Sequence, residues 1–141
     1  MHNREKIVVV KESAGREAIT HVSVEHHYGP FANDASKQRE PVASLVRCSL
    51  ETGRTHQIRV HMAAIGHPLL GDPLYGAGFS TRANRLPTEA QQALQLLGRQ
   101  ALHACLLGFA HPTSGETMTF EASPPDDLAT LIAILDAALS D

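Results

Sequence analysis

The hydrophobic pattern of the chain changes its period at Gly53. Before it, the stretch 45–51 (LVRCSLE) alternates between apolar and polar residues, which predicts a β-strand. After it, a helix is expected from about His56 with Thr55 as its N-cap, and Gly66 is suited to end that helix because glycine tolerates a left-handed conformation. The apolar stripe of this helix consists of Ile58, Met62 and Ile65. A strand that leads almost directly into an amphipathic helix therefore constrains the centre of the fold.

The rest of the chain divides into short elements of both kinds. The remaining predictions are strands at 6–10, 18–27 and 104–110, a strand that contains Met118 and Phe120, and helices at 88–97 and from about Pro124 or Pro125. The strands at 18–27 and 45–51 are expected to pair antiparallel, and 104–110 is expected to be a central strand because it is apolar on both faces. The order of elements predicts one domain over residues 1–141, of the α+β class, with a mostly antiparallel, mixed sheet and flanking helices.

Composition narrows the class of protein. Of the 141 residues, 43% are hydrophobic and 19% are charged, which is enough for one core and argues against disorder. No apolar run approaches the roughly 20 residues needed to cross a bilayer, and the N-terminus has no apolar run of signal-peptide length. We therefore expect a cytoplasmic protein without a membrane partner. Cys48 and Cys105 lie far apart in strand-like runs and are expected to be buried, reduced thiols.

Charge is distributed unevenly along the chain. The net charge is −3, but residues 1–70 hold nine Lys and Arg against seven Asp and Glu, whereas residues 71–141 hold three against eight. Seven of the nine histidines also lie in the first half. If the partner is a polyanion, the first half is expected to face it.

The segment 53–63, GRTHQIRVHMA, carries more polar groups than a helix that only covers a core would need. Arg54, His56 and Arg59 lie around the expected helix start, where unpaired N–H groups and the helix dipole favour anions. A guanidinium group can bind two oxygens of a phosphate or a carboxylate at once. We interpret the set as an anion-binding site; a solvated helix with scattered charges is the alternative interpretation.

Metal and hydrolase chemistry find little support in this region. The side chains of metal-ligand type, which do not follow a zinc-binding spacing, are His56, His61, His67 and Asp72. No GxSxG sequence is present for a nucleophilic serine. We expect no metal site.

The run from Leu50 to Gly76, LETGRTHQIRVHMAAIGHPLLGDPLYG, resembles the C-terminal conserved motif of the RluA-type RNA pseudouridine synthases. Weaker similarity covers AITHVSV and the stretch RQALHACLLGFAHPTSGETMTFEASPPDDL. The resemblance implies a pseudouridine-synthase-like fold and a cofactor-free isomerisation of uridine in structured RNA, which we expect to be ribosomal RNA. In that reaction an aspartate attacks the nucleoside, and the base, flipped out of its stack, detaches, rotates and rejoins through carbon.

The resemblance also implies roles for individual residues. Arg59 matches the family arginine that pairs with the catalytic aspartate, where it would orient the carboxylate and favour its ionised form. Ile58 is expected beside the uracil pocket. The remaining residues expected to shape the substrate pocket or to contact RNA are Arg54, Thr55, His56, Gln57 and His61.

One part of the family pattern has no counterpart in the sequence. The family nucleophile lies in an HRLD-type segment, and no Arg-Leu-Asp string occurs in the 141 residues; the nearest string, 84–87, has Pro87 where the aspartate is needed. Asp72 belongs to a Gly-Asp-Pro sequence and is expected to form a turn. We therefore expect the chain to be the C-terminal part of a catalytic domain, inactive alone, with the missing N-terminal half as a partner.

Two other interpretations stay open. The chain is either a natural RNA-binding remnant without catalysis, with an affinity that falls steeply with salt, or a protein-interaction module without RNA affinity. The synthase interpretation differs from both because it predicts an apolar face or sheet edge that is left uncovered where the missing half packs.

Overall fold

The computed structural model describes residues 5–11, 17–32, 40–76 and 83–139. Within them, three strands form an antiparallel sheet in the order β1-β2-β3: β1 (Glu5–Lys11), β2 (Glu17–Tyr28) and β3 (Ala43–Leu50). The predicted antiparallel pairing of the second and third strands is confirmed. Their register places Val22 opposite Cys48 and shifts between Val24 and His26.

One face of this sheet is covered by α1 (Gln57–Ala64). Alternate strand residues point toward the helix, as the period of two requires, so that Val8, Val22 and Met62 form a buried cluster. The opposite face is open at β1, where Ile7 and Val9 are exposed.

A second cluster of buried residues is mainly helical. It joins α2 (Thr88–Leu97) and α3 (Asp126–Ala138), which contact each other, to the end of β2 at Tyr28. The predicted bounds of α2 are confirmed. Leucines at helical spacing on α3, namely Leu128, Leu131 and Leu135, are buried against the cluster.

The remaining strands, β4 (Leu106–Ala110) and β5 (Thr117–Glu121), pair with each other as a separate hairpin. The prediction of a central strand at 104–110 is wrong, because no other strand in the described ranges pairs with either of them. Both faces of β4 are therefore exposed. Between 43% and 60% of the surface of four large apolar residues is accessible: Leu106, Leu107, Phe109 and Phe120. The expectation of two buried thiols is also wrong. Cys105, next to the hairpin, is exposed, and Cys48 is half-buried.

The predicted α+β class and the predicted order of elements are confirmed. All strand pairs among the described residues are antiparallel, and they form two sheets where one mixed sheet was expected. None of the helices in these ranges is long and apolar enough to cross a membrane.

Candidate functional site

The site is built on the turn that connects β3 to α1. The prediction that Thr55 caps the helix is wrong: α1 begins at Gln57, and the residue at the N-cap position is His56, whose side chain makes no capping hydrogen bond. His56 adopts a left-handed conformation (φ 52°, ψ 27°). Such a conformation is uncommon for a residue with a side chain, and it persists where the surrounding structure enforces it.

The side chain of Gln57 makes hydrogen bonds that hold this turn in place. It is buried, and its Oε1 atom accepts hydrogen bonds from the Thr52 hydroxyl (2.7 Å) and the Arg54 backbone N–H (3.1 Å). Its Nε2 atom donates to the carbonyl of Ile19 and the hydroxyl of Thr20, both at 2.9 Å. The amide therefore ties the turn to β2 and uses both of its donors and both acceptor positions inside the protein.

Arg59, one turn into α1, forms an ion pair with Asp72. Its Nε atom donates to Oδ2 of Asp72 at 2.9 Å, and its Nη2 atom donates to Oδ1 at 2.8 Å. Only 11% of the Arg59 side chain and none of the Asp72 side chain is exposed. The guanidinium of Arg59 holds the pKa of the Asp72 carboxyl well below its usual range, and the same hydrogen bonds raise the pKa of Arg59.

Asp72 also forms the turn that its sequence predicted. Its Oδ1 atom accepts hydrogen bonds from the backbone N–H groups of Leu74 (3.0 Å) and Tyr75 (3.1 Å). The preceding residue, Gly71, has a φ of +75°, and a Cβ atom at this position would lie 2.5 Å from the carbonyl oxygen of Arg99. The loop that carries Asp72 is thus fixed directly against the end of α2.

Tyr75 connects this ion pair to His56. Its ring lies against the Arg59 guanidinium, with the Cζ atom 5.2 Å from the ring centroid, a distance typical of a cation–π contact. Its hydroxyl is 3.3 Å from Nδ1 of His56, and the two rings meet edge to face at 6.0 Å. Arg59, Asp72, Tyr75 and His56 therefore form one continuous polar cluster, which we call the arginine cluster.

The residues proposed for RNA or substrate contact occupy two different environments. Arg54, Thr55 and His56 are exposed, and the Arg54 side chain makes no hydrogen bond or ion pair with any residue that the structure describes. Gln57 and His61 are buried, with 5% and 1% of their surface accessible, so that direct contact with RNA is open to the first three only. Ile58 is half-buried and packs against the cluster of Val8, Val22 and Met62.

His61 stands apart because its Nδ1 atom is buried and has no hydrogen-bond partner among the residues that can be described. Burial lowers its pKa, which favours the neutral ring. Across the same ranges, no group of three or more His, Cys, Asp or Glu residues is arranged to hold a metal ion.

Sequence reasoning missed two members of the arginine cluster. It expected Arg59 to pair with an aspartate outside the chain and Asp72 to form a turn only, and it gave Tyr75 no role; the structure pairs Arg59 with Asp72 itself. The contact joins residues 13 positions apart through a segment with two glycines and one proline, whose path short-range periodicity does not predict. The only available signal was an opposite charge in a tight turn soon after the helix.

Comparisons with known proteins bear on this geometry. The profile of a family described as RNA pseudouridylate synthase matches residues 2–64. A ribosomal large subunit pseudouridine synthase D from Neisseria meningitidis serogroup A is 47% identical over 135 residues, which are 95% of this chain and 32% of the relative. Proteins of the same name from Zymomonas mobilis and Vibrio cholerae are 44% and 39% identical, over 94% and 99% of this chain and 36% and 40% of their own length.

The chain belongs to the RNA pseudouridylate synthase family.

It spans about a third of the length of the curated relatives that it matches. Within this sequence, the family profile covers the sheet β1–β3, the turn at Gly53 and helix α1 with Arg59. Asp72 and Tyr75 lie beyond the matched segment, so the arginine cluster joins residues inside the profile to residues outside it.

Proposed function

We propose that the chain supplies the arginine side of a pseudouridine synthase site that isomerises uridine in ribosomal RNA. The relatives described above are named ribosomal large subunit pseudouridine synthases. Their names support both the reaction and the class of RNA. The observation that carries the proposal is the geometry of Arg59, whose guanidinium is fixed in direction on one edge by Asp72.

Asp72 leaves part of that guanidinium available. It bonds the Nε and Nη2 atoms of Arg59, and Nη1 has no hydrogen-bond partner among the described residues. A second carboxylate could bind there, as the resemblance to the family implies for the catalytic aspartate. The fixed positive charge would keep that aspartate ionised and oriented for attack on the nucleoside, as a nucleophile requires.

Asp72 itself is not suited to be the nucleophile. None of its side-chain surface is exposed, and its two carboxylate oxygens accept four hydrogen bonds, from the side chain of Arg59 and from the backbone of Leu74 and Tyr75. A nucleophile must approach the reacting carbon to about 3 Å, which a carboxylate held in this way does not do. We therefore propose that the 141 residues alone do not form pseudouridine.

The uncovered apolar surfaces support a partner that completes the site. The hairpin β4–β5 exposes apolar side chains on both faces, and Ile7 and Val9 are exposed on the outer face of β1. Exposed apolar surface of this kind marks an interaction site. Because the chain spans about a third of its relatives, we propose that these surfaces receive the part of a synthase catalytic domain that carries the HRLD-type segment.

The test is complementation. The chain is mixed with the Neisseria meningitidis relative shortened by the part that aligns with this chain, and pseudouridine is mapped chemically in unmodified large-subunit ribosomal RNA. We expect product from the mixture and none from either piece alone, with loss of most product on Arg59→Ala. Arg47→Ala is the matched control, because Arg47 is an exposed arginine of β3 that pairs with Glu25.

Each alternative outcome has its own meaning. RNA binding without product in the mixture would favour the inactive RNA-binding remnant, and neither binding nor product would favour a protein-interaction module. Product from the chain alone that is abolished by Asp72→Ala would contradict the assignment of the nucleophile.

A further inference from the structure

The turn between β3 and α1 receives little support from packing. Gly53, Arg54, Thr55 and His56 are all exposed, and a Cβ atom added to Gly53 would meet nothing within 4 Å. Its backbone bonds are local, such as the one from the Gln57 N–H to the Arg54 carbonyl at 3.1 Å. The long-range ties of the turn are therefore made by side chains.

Three of those ties run to β2 from Gln57 or from its neighbour in the network, Thr52: one from Thr52 to the Ile19 N–H, and two from Gln57 to the Ile19 carbonyl and the Thr20 hydroxyl. The Thr52 hydroxyl accepts a hydrogen bond from the Ile19 N–H (3.0 Å) and donates to Gln57, while Gln57 bonds the Ile19 carbonyl and the Arg54 N–H. One further tie, from His56 to Tyr75, is longer, at 3.3 Å. Removing the Gln57 amide would therefore remove two of these three hydrogen bonds to β2 and the acceptor of the Arg54 N–H, while the bond between Ile19 and Thr52 remains.

We propose that Gln57 is a positioning residue that holds the 52–56 turn in the conformation in which Arg54 and His56 contact RNA. This inference rests on the proposed function, because it takes the turn to be an RNA-contacting surface. Gln57 touches no RNA itself, since it is buried and its amide is fully bonded within the protein. Its effect on binding is transmitted through the backbone of Arg54.

Two variants separate the hydrogen bonds from the volume of the side chain. Gln57→Glu keeps the shape but replaces the Nε2 donor with an oxygen that faces the Ile19 carbonyl. Gln57→Met keeps the approximate volume and adds no charge, so it remains informative if the glutamate variant does not fold. Gln57→Met leaves the backbone N–H of Arg54 without its acceptor, whereas Gln57→Glu keeps an acceptor and loses the donor that ties it to β2.

Gln91 offers a matched control in the same chain. Its Nε2 atom also donates two hydrogen bonds, to the carbonyls of Asn84 (3.0 Å) and Leu86 (2.8 Å), and its side chain is half-buried. It lies on α2 and outside the arginine cluster. Gln91→Met therefore removes two hydrogen bonds donated by a glutamine Nε2 atom without touching the turn.

The experiment measures binding of the full chain to a labelled, unmodified transcript of large-subunit ribosomal RNA over a salt titration. We expect Gln57→Met to weaken binding about fivefold, within the usual range for residues coupled in one network, and to lower the salt slope by about one phosphate contact. Gln91→Met should leave both unchanged. In the Arg54→Ala background, Gln57→Met should cause a smaller further loss, because only the contact of His56 then remains to be displaced.

Exchange of the Arg54 backbone amide, followed by NMR, gives a readout that does not depend on RNA. The Arg54 amide should be protected from exchange in the wild type and in Gln91→Met, and it should exchange freely in Gln57→Met. Normal RNA binding by a folded Gln57→Met variant with a freely exchanging Arg54 amide would overturn this inference and leave the proposed function standing. So would equal losses from the Gln57 and Gln91 variants. Wild-type chain that does not bind the transcript at all would overturn the proposed RNA contact, and this inference with it.

Discussion

Arg59 and Asp72 meet through two parallel hydrogen bonds, with the carboxylate on the Nε–Nη2 edge of the guanidinium. The arrangement fixes the plane of the arginine as well as its position, which a lysine at the same place could not do. The pair also connects α1 to the loop after it, because the same carboxylate binds the backbone of Leu74 and Tyr75.

Replacing Asp72 by asparagine should destabilise the chain strongly. The substitution keeps the shape of the side chain but leaves Arg59, which is 11% exposed, without its counter-charge, and breaking a buried pair in this way typically costs about 3 kcal/mol. Urea unfolding would measure the loss. Asp127→Asn is the control, because the Arg99–Asp127 pair is more than 40% exposed on both sides and should contribute much less to stability. Equal losses from the two variants would contradict the structural role given to Asp72.

The same pair predicts an acid-dependent loss of stability. The hydrogen bonds from Arg59 lower the pKa of Asp72 in the folded chain, so the carboxyl binds a proton less readily there than in the unfolded chain. The contribution of the pair is therefore complete above the unfolded pKa, about 3.9, and declines as the pH falls below it. Free energies of unfolding measured down to about pH 2.5 should fall less steeply in Asp72→Asn than in the wild type. Parallel acid slopes would contradict this prediction.

The comparison of sequence with structure separates two kinds of inference. The change of period at Gly53 correctly predicted β3 and α1, because the alternation at 45–51 and the helical stripe each reflect burial against a neighbouring element. The strand at 104–110 was wrongly expected to be central, because a strand that is apolar on both faces implies neighbours on both sides, and among the described strands only β5 pairs with it. The hydrophobic pattern of the sequence indicates which surfaces are apolar, but it does not indicate which part of the protein covers them.

Contacts that depend on residues far apart in sequence were not predicted. Arg54, His56 and Arg59 were predicted as site residues from their types and spacing, and the structure places His56 and Arg59 in the arginine cluster and Arg54 on the exposed turn beside it. The cap at Thr55 was wrong because Gln57 bonds residues of β2 that are 37 and 38 positions away, and these bonds organise the turn differently. The partnership of Asp72 with Arg59 was missed for a similar reason.

His21 should make stability depend on pH in the opposite direction. Its two ring nitrogens lie 2.8 Å from Glu51 and 2.7 Å from Glu5, and these hydrogen bonds raise its pKa. Protonated His21 is therefore favoured in the folded chain, so its contribution is complete below the unfolded pKa of about 6.5 and is lost as the pH rises through the folded value.

Thermal unfolding from about pH 6 to about pH 8.5 tests the effect of His21. The decline in melting temperature across this range should be reduced in His21→Gln. His27→Gln is the comparison variant, because the side-chain partner of His27 among the described residues is the neutral hydroxyl of Ser44. An unchanged profile in His21→Gln would contradict the prediction.

Gly71 should tolerate alanine poorly compared with Gly66. Both have positive φ angles, +75° and +84°, so alanine is strained at either position by about 1 to 2 kcal/mol. At Gly66 an added Cβ meets nothing within 4 Å, whereas at Gly71 it lies 2.5 Å from the Arg99 carbonyl oxygen. Chemical denaturation should therefore show a clearly larger loss for Gly71→Ala, and equal losses would show that the loop is free to move away from α2.

The atom that a Cβ at Gly71 would approach most closely is a main-chain atom, the carbonyl oxygen of Arg99, and the neighbouring hydrogen bond from the Ala101 N–H to the Leu70 carbonyl, at 2.8 Å, is also between main-chain groups. Such a contact restricts substitution more at position 71 than at positions 99 and 101. Other side chains can replace those at positions 99 and 101 without disturbing this contact, because main-chain atoms make it. Position 71 has no such freedom, so among natural variants of this chain we expect the glycine to persist while the residues that it touches change.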